Sequence, residues 1–196
     1  MRRRNLTAAF CAVAAALVMT ACNNTSGNQT TIPAETVTES AAEETEAAVD
    51  LDKLLEDIQA AYGEEYTPSM DYSAEELENL FGLGPDLYEA AIAQGPMITI
   101  NIDTFIAVKA KSGMGEEAER ILKDYRQDLI DNSLQYPMNL PKLYSSEVIR
   151  YGDYVFFVML GTPTPESLDE GQDEALVTAK EKNQVAIDII NEAFGA

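Results

Sequence analysis

The stretch "SSEVIRYGDYVFFVMLG", Ser145 to Gly161, limits the fold more than any other part of the chain. Gly152-Asp153 is a two-residue turn signal with glycine first, so the flanking runs read as a β-hairpin. The second arm, Tyr154 to Leu160, is apolar at every position. A strand with apolar side chains on both faces has no side to offer to water and belongs at the centre of a sheet. Everything else in the chain must be able to pack around it.

The remaining periodicities supply the surroundings. Asp50 to Tyr62 predicts a helix, with Leu51, Leu54, Leu55, Ile58 and Tyr62 on one face, Asp50 as its cap and Gly63 as its stop. Ser73 and Glu76 have capping-box spacing ahead of Leu77, Leu80 and Phe81. Tyr88 to Ala93 alternates as a strand does. "IDTFIAVKAK", Ile102 to Lys111, predicts a second strand, whose polar end suggests a sheet with one wet face. Glu116 to Ile130 is helical, with i,i+4 pairs Glu116–Arg120 and Glu119–Lys123. "TPTPESLDEGQDE" breaks regular structure. A last helix covers about Glu174 to Phe194, with Val185, Ala186, Ile189, Ile190 and Phe194 on its inner face. The expected fold is α+β: a mostly antiparallel four-stranded sheet with helices packed on one face, in a single domain over residues 49–196.

The start of the chain speaks to address. "MRRRNLTAAFCAVAAALVMTAC" has a basic run, Arg2 to Arg4, a short apolar run, Leu6 to Val18, and small residues, Thr20 and Ala21, before Cys22. That is the layout of a secretory signal peptide. The apolar run is shorter than the roughly 20 residues a spanning helix needs. Arg3-Arg4 raises twin-arginine export, but Thr7 stands where a second apolar residue would follow, which favours ordinary secretion. "LVMTAC" resembles a bacterial lipobox, with Met19 where leucine is commoner. The resemblance implies that Cys22 takes a diacylglyceryl group and becomes the new N-terminus once residues 1–21 are removed. A plain secreted protein with a spare cysteine is the alternative. Two or more acyl chains anchor a protein stably. The protein would then be held at the cell membrane, on its extracytoplasmic face. Cys11 would be lost and Cys22 capped, so the folded domain has no disulfide. Residues 22–48 are rich in threonine, serine and glutamate with no base and no apolar period. They are expected to form a disordered tether spanning on the order of 30 Å.

The segment Asp50 to Gly161 resembles a domain-of-unknown-function family common among lipoproteins of Gram-positive, gut-type bacteria. The likeness is carried by "LDKLLEDI", "NIDTFIAVKAKSGMGEEAERIL" and "YGDYVFFVMLG". It implies the fold and the anchor. It implies no activity, and no functional residues carry over.

Charge and residue content exclude several functions. With 13 bases against 34 acids, the net charge is −21. This opposes nucleic-acid binding, which requires clustered lysine and arginine, and opposes lying flat on anionic lipid. No histidine and no free thiol remain for nucleophilic catalysis or tetrahedral zinc. Gly113, Gly115 and Ala118 match G-x-G-x-x-A between a strand and a helix. However, Glu116 and Glu117 already complement the helix end and would repel a pyrophosphate, so a plain strand–helix turn is the better reading. The acidic run Leu168 to Glu174 lacks the spacing of an EF-hand loop and reads as a solvated turn. Asp71, Glu75, Asp86 and Asp103 lie near element ends and read as caps or surface acids. No catalytic, cofactor or metal residue is assigned.

Two loops carry recognition-type residues. One holds Tyr62, Tyr66 and Tyr72 among acids; the other holds Tyr136, Pro137, Met138 and Pro141. Either they form a binding surface or the aromatics tuck back onto the core. Two functions of different class follow. One is a membrane-tethered, non-catalytic binding or assembly module for an extracytoplasmic protein or small ligand. The other is an envelope hydrolase using a carboxylate pair. The anchor itself is testable. Cys22→Ala is expected to abolish labelling by a fatty-acid probe in cells, and unchanged labelling would refute the lipid assignment.

Overall fold

The computed structural model describes residues 48–98 and 100–196. The expectations for the signal peptide, Cys22 and all of the tether but Ala48 lie outside the described residues. The order of elements is α1 (Leu51–Tyr62), β1 (Met70–Asp71), α2 (Ala74–Phe81), β2 (Tyr88–Gly95), β3 (Thr104–Ala110), α3 (Gly115–Asn132), α4 (Leu140–Ser145), β4 (Glu147–Tyr151), β5 (Tyr154–Met159), α5 (Pro165–Glu170) and α6 (Gln172–Ala193). No helix among the described residues is long and apolar enough to cross a membrane.

Local chemistry fixes the element ends. Asp50 accepts from the backbone N–H groups of Asp52 and Lys53, at 3.0 and 3.2 Å, and starts α1. The Ser73–Glu76 capping box is complete, with the Glu76 carboxylate accepting from the Ser73 N–H at 2.7 Å. These bonds hold the Glu76 carboxyl below its usual range. Gly152 takes φ 54° in the β4–β5 turn, a conformation that favours glycine.

The sheet is antiparallel throughout, in the order β1-β2-β3-β5-β4. It has five strands rather than four. The extra one is the two-residue β1, which pairs Met70 with Gly95 and Asp71 with Gln94. Two residues are too few to show a period of two, so the pattern could not reveal it. β3 and β5 lie at the centre, in register from Thr104–Met159 to Lys109–Tyr154.

The helices cover both faces of this sheet, not one. On one side Phe105, Ala107, Tyr154, Phe156, Val158 and Leu160 pack with residues of α1 and α6, among them Leu54, Ile58, Ala186 and Ile190. On the other, Ile106, Val108, Val155, Phe157 and Met159 pack with Leu77 and Phe81 of α2, Leu122 of α3 and Leu143 of α4. The supposed wet face of β3 is buried except at Lys109, which reaches Glu89 on β2 at 2.9 Å. The reason lies in β3 and β5 themselves: both faces of both strands are apolar, and a layer of helices on each side removes both from water.

Three short pieces differ from expectation. "QYPMNLPKLY" contains a 3-10 turn, Pro137–Asn139, and α4, and "PESLDE" forms α5. On α6, Val185 is exposed, and the buried stripe runs through Ala175, Ala179, Asn183, Ala186 and Ile190.

The two-sided packing makes a paired prediction. Phe156 and Phe157 are both fully buried but face opposite layers. Phe156→Ala and Phe157→Ala are each expected to cost about 3–5 kcal/mol in chemical unfolding. A sheet covered on one side only would leave one of the two near neutral.

Candidate functional site

The functional candidate lies where β3 begins and β5 ends. Asp103, the residue before β3, is 1% exposed. Its Oδ2 accepts from the Thr67 hydroxyl, from the Thr162 hydroxyl at 2.9 Å and from Lys142 Nζ at 3.0 Å. Lys142, on α4, is itself 6% exposed and also donates to Asn101 Oδ1 at 2.7 Å. The same Asn101 oxygen accepts from the N–H groups of Ile102 and Asp103, at 2.8 and 3.2 Å, which fixes the turn that aims Asp103 inward. Three loops and one helix therefore meet at a single carboxylate oxygen. Its partner oxygen, Oδ1, is buried and has no hydrogen-bond donor among the described residues.

A polar stitch secures the wall. Asn183 of α6 accepts from the Leu160 N–H and donates to the Ser145 carbonyl, both at 2.9 Å. This ties the layer containing α6 to the end of β5 and to the end of α4. Beyond it, Thr162 and Pro163 separate two recesses. The first, of about 190 Å³, is bounded by Tyr62, Thr67, Leu160, Thr164 and Lys182. The second, of about 170 Å³, is bounded by Ile100, Asn101, Met138, Lys142 and Leu168. Tyr62 donates its hydroxyl to the Lys182 carbonyl at 2.5 Å, and burial pushes its phenol well above the usual range.

A larger depression, about 550 Å³, lies over α3. Its floor is a surface network in which Arg120 bonds Glu117 and Asp124, while Lys123 and Arg150 share Glu119. Those charges satisfy one another in solvent and leave no buried group for a ligand.

The residues singled out in the sequence fall in different places. Asp71 is an exposed edge-strand acid that accepts from Gln94 at 2.7 Å, and Glu75 sits in the first turn of α2. Asp86 is exposed. Asp103 alone departs from the reading as a cap or surface acid, because Lys142, Thr67 and Thr162 make its burial tolerable. The tyrosine loop tucks inward: Tyr66 donates to Gln94 at 2.9 Å, and Tyr72 stacks edge-on against Phe81 with ring centres 5.2 Å apart. The other loop is divided: Tyr136 and Met138 are exposed, with Met138 on the rim of the second recess, while Pro141 is buried in α4. Of the acidic run Leu168 to Glu174, Leu168 lines that recess. Among the described residues no three acids converge as metal ligands.

The G-x-G-x-x-A loop carries its own anion. The Asp153 carboxylate accepts from the N–H groups of Gly113 and Gly115, at 2.9 and 3.0 Å. A Cβ on Gly115 would stand 2.3 Å from the Gly152 carbonyl oxygen. The glycine is there to let the hairpin turn close onto the start of α3, and Asp153 fills the position a phosphate would take.

Lys142, the cluster's cation, follows Pro141 at the end of the stretch whose prolines predict a loop, so the spacing does not mark it. A lone lysine between Pro141 and Leu143 on a short apolar helix was the available signal.

A domain of unknown function, DUF4358, matches residues 61–160. The chain belongs to this family. The matched DUF4358 segment holds all five strands and the Asp103–Lys142 pair. It stops short of Thr162 and of α6, so one wall of each recess lies outside it. No curated protein matches the chain, and neither does any solved structure.

Lys142→Met strips a buried carboxylate of its counter-charge and is expected to cost about 3–5 kcal/mol in urea unfolding. Adding Asp103→Leu to it should recover much of that loss. A cost within about 0.5 kcal/mol for the single change, the range of ordinary surface substitutions, would mean that the pair does not organise this end of the sheet.

Proposed function

We propose that this chain is a lipid-anchored lipoprotein of the extracytoplasmic membrane face whose folded domain is a non-catalytic binding module. The address rests on the Arg2–Arg4, Leu6–Val18 and Cys22 pattern and on the acidic stretch that follows it. The binding role rests on one observation: the two recesses lie at the opposite end of the sheet from the point where the chain enters. The Val49 N–H donates to Tyr154 Oη at 3.1 Å, beside the β4–β5 turn. The recesses gather around Thr162, just past Met159 at the other end of β5. The six residues of β5 separate the two by about 17 Å at strand rise. The recesses therefore do not share an end of the sheet with Val49.

Hydrolysis by a carboxylate pair calls for a second acid facing the first. The groups bonded to the Asp103 carboxylate are the Lys142 ammonium and two threonine hydroxyls, and the acid that lines the first recess, Glu65, is exposed and paired with Lys182. The arrangement supports binding over acid–base chemistry.

The test places a photo-crosslinking residue at Met138, on the recess rim, or at Arg150, near the turn, in intact cells. Discrete adducts are expected from Met138 and not from Arg150. Equal yields from the two positions, or none from either, would overturn the binding role. Protection of the domain from protease added outside wall-stripped cells would overturn the address.

A further inference from the structure

We propose that the recess beside Lys142 binds an uncharged amide carried on a short branched aliphatic body, an inference that rests on the binding-module reading. An ammonium group carries three protons. Lys142 gives one to Asn101 and one to Asp103, and the third has no acceptor among the described residues. The side chain is almost wholly buried, and what it exposes lies at the recess it lines. A carbonyl oxygen entering the recess would satisfy it.

Charge selects against the other head groups. The Lys142 cation is already matched by Asp103. A carboxylate would bring a second negative charge next to Asp103, in a chain of net charge −21. An ammonium head would face a like charge. A neutral carbonyl brings neither penalty.

Thr162 accounts for the amide rather than a ketone or ester. Its hydroxyl proton is committed to Asp103, so its lone pairs are what it presents to the recess it lines. They accept an N–H. Thr162 and Lys142, held side by side on Asp103, offer one acceptor and one donor, the complement of a single amide, while the neighbouring Asn101 oxygen and Asn139 nitrogen already have partners within the fold.

Apart from the Asn101 and Asn139 amides, the rest of the recess is apolar. Ile100, Met138, Pro163 and Leu168 form its walls, and Ile100 and Met138 are each 48% exposed. An aliphatic body covering them removes that surface from water. The volume of about 170 Å³ is close to the roughly 150 Å³ of a cavity known to admit benzene, enough room for a body of a few carbons. Such an amide exists both as a free small molecule and within a peptide.

The experiment uses the full chain in lipid nanodiscs, with carbon-13 methyl labels on methionine and isoleucine. It is titrated with isovaleramide, isovalerate, isoamylamine and N-acetyl-leucine N-methylamide. Isovaleramide is expected to shift the Met138 and Ile100 methyl signals and to bind at least tenfold more tightly than isovalerate or isoamylamine. Tighter binding by the leucine derivative would assign the amide to a peptide, and weaker binding to a free ligand. Lys142→Met is expected to abolish the response. Because that variant is destabilised, Leu168→Trp, which fills the recess from its wall, serves as the second variant and should also abolish it. Binding of isovalerate as tight as that of the amide, no shift at Met138 or Ile100, or unchanged affinity in Leu168→Trp would each overturn the proposal. A flat titration with Met138 crosslinks still present would remove the ligand class and leave the binding role. Loss of both would remove the binding role as well.

Discussion

β3 and β5 are hydrogen-bonded neighbours with apolar side chains on both faces, and the rest of the domain is arranged to keep both faces dry. Such a pair cannot sit at an edge or under a single layer of helices. The chain meets the demand by splitting its helices. The first and last, α1 and α6, close one face, while α2, α3 and α4 close the other. Because α1 and α6 are far apart in sequence, that face forms only when the two ends of the domain come together. Contacts of this kind form late and slowly in folding. The stacking of Tyr151 on Phe194, with ring centres 4.5 Å apart, pins the end of α6 to the hairpin.

A sheet with apolar faces must still begin and end in polar backbone, and the two ends are handled differently. At the hairpin end, Asp153 satisfies the N–H groups of Gly113 and Gly115. This satisfies the first orphan N–H of α3 with a side chain of the hairpin turn. At the other end, three side chains converge on the Asp103 carboxylate, yet one carboxylate oxygen and one ammonium proton find no partner among the described residues.

The sequence disclosed the long elements because each carries a clear period. Helices α1, α3 and α6, the β4–β5 hairpin and the Ser73–Glu76 cap all follow from local spacing. It disclosed less where length or context decides. β1 and α5 are too short to repeat a pattern. The second helical layer was hidden because the polar end of β3, Lys109 and Lys111, suggested a wet face. Only Lys109 lies in the strand, and it is satisfied by Glu89. The two-sided character of Tyr154 to Leu160 already called for cover on both sides. The site was obscured for another reason. Among 34 acids, nothing local marks Asp103 as the one that will be buried; that depends on Thr67, Lys142 and Thr162, which only the tertiary fold brings together.

The unsatisfied end is costly. A buried polar atom without a partner costs about 1–3 kcal/mol, against a total stability of about 5–15 kcal/mol for an ordinary domain. No cysteine lies in residues 48–196 to offset the loss with a crosslink. Packing alone must carry it. Replacing the ion pair with well-packed apolar residues is a change that folding would tolerate or favour. An arrangement that breaks local satisfaction without a structural gain marks the place where function, rather than folding, sets the residues. Of the two ends of this sheet, the hairpin end pairs its Asp153 carboxylate with backbone N–H groups of the fold, and the Asp103–Lys142 end leaves a buried carboxylate oxygen unpartnered beside two open recesses.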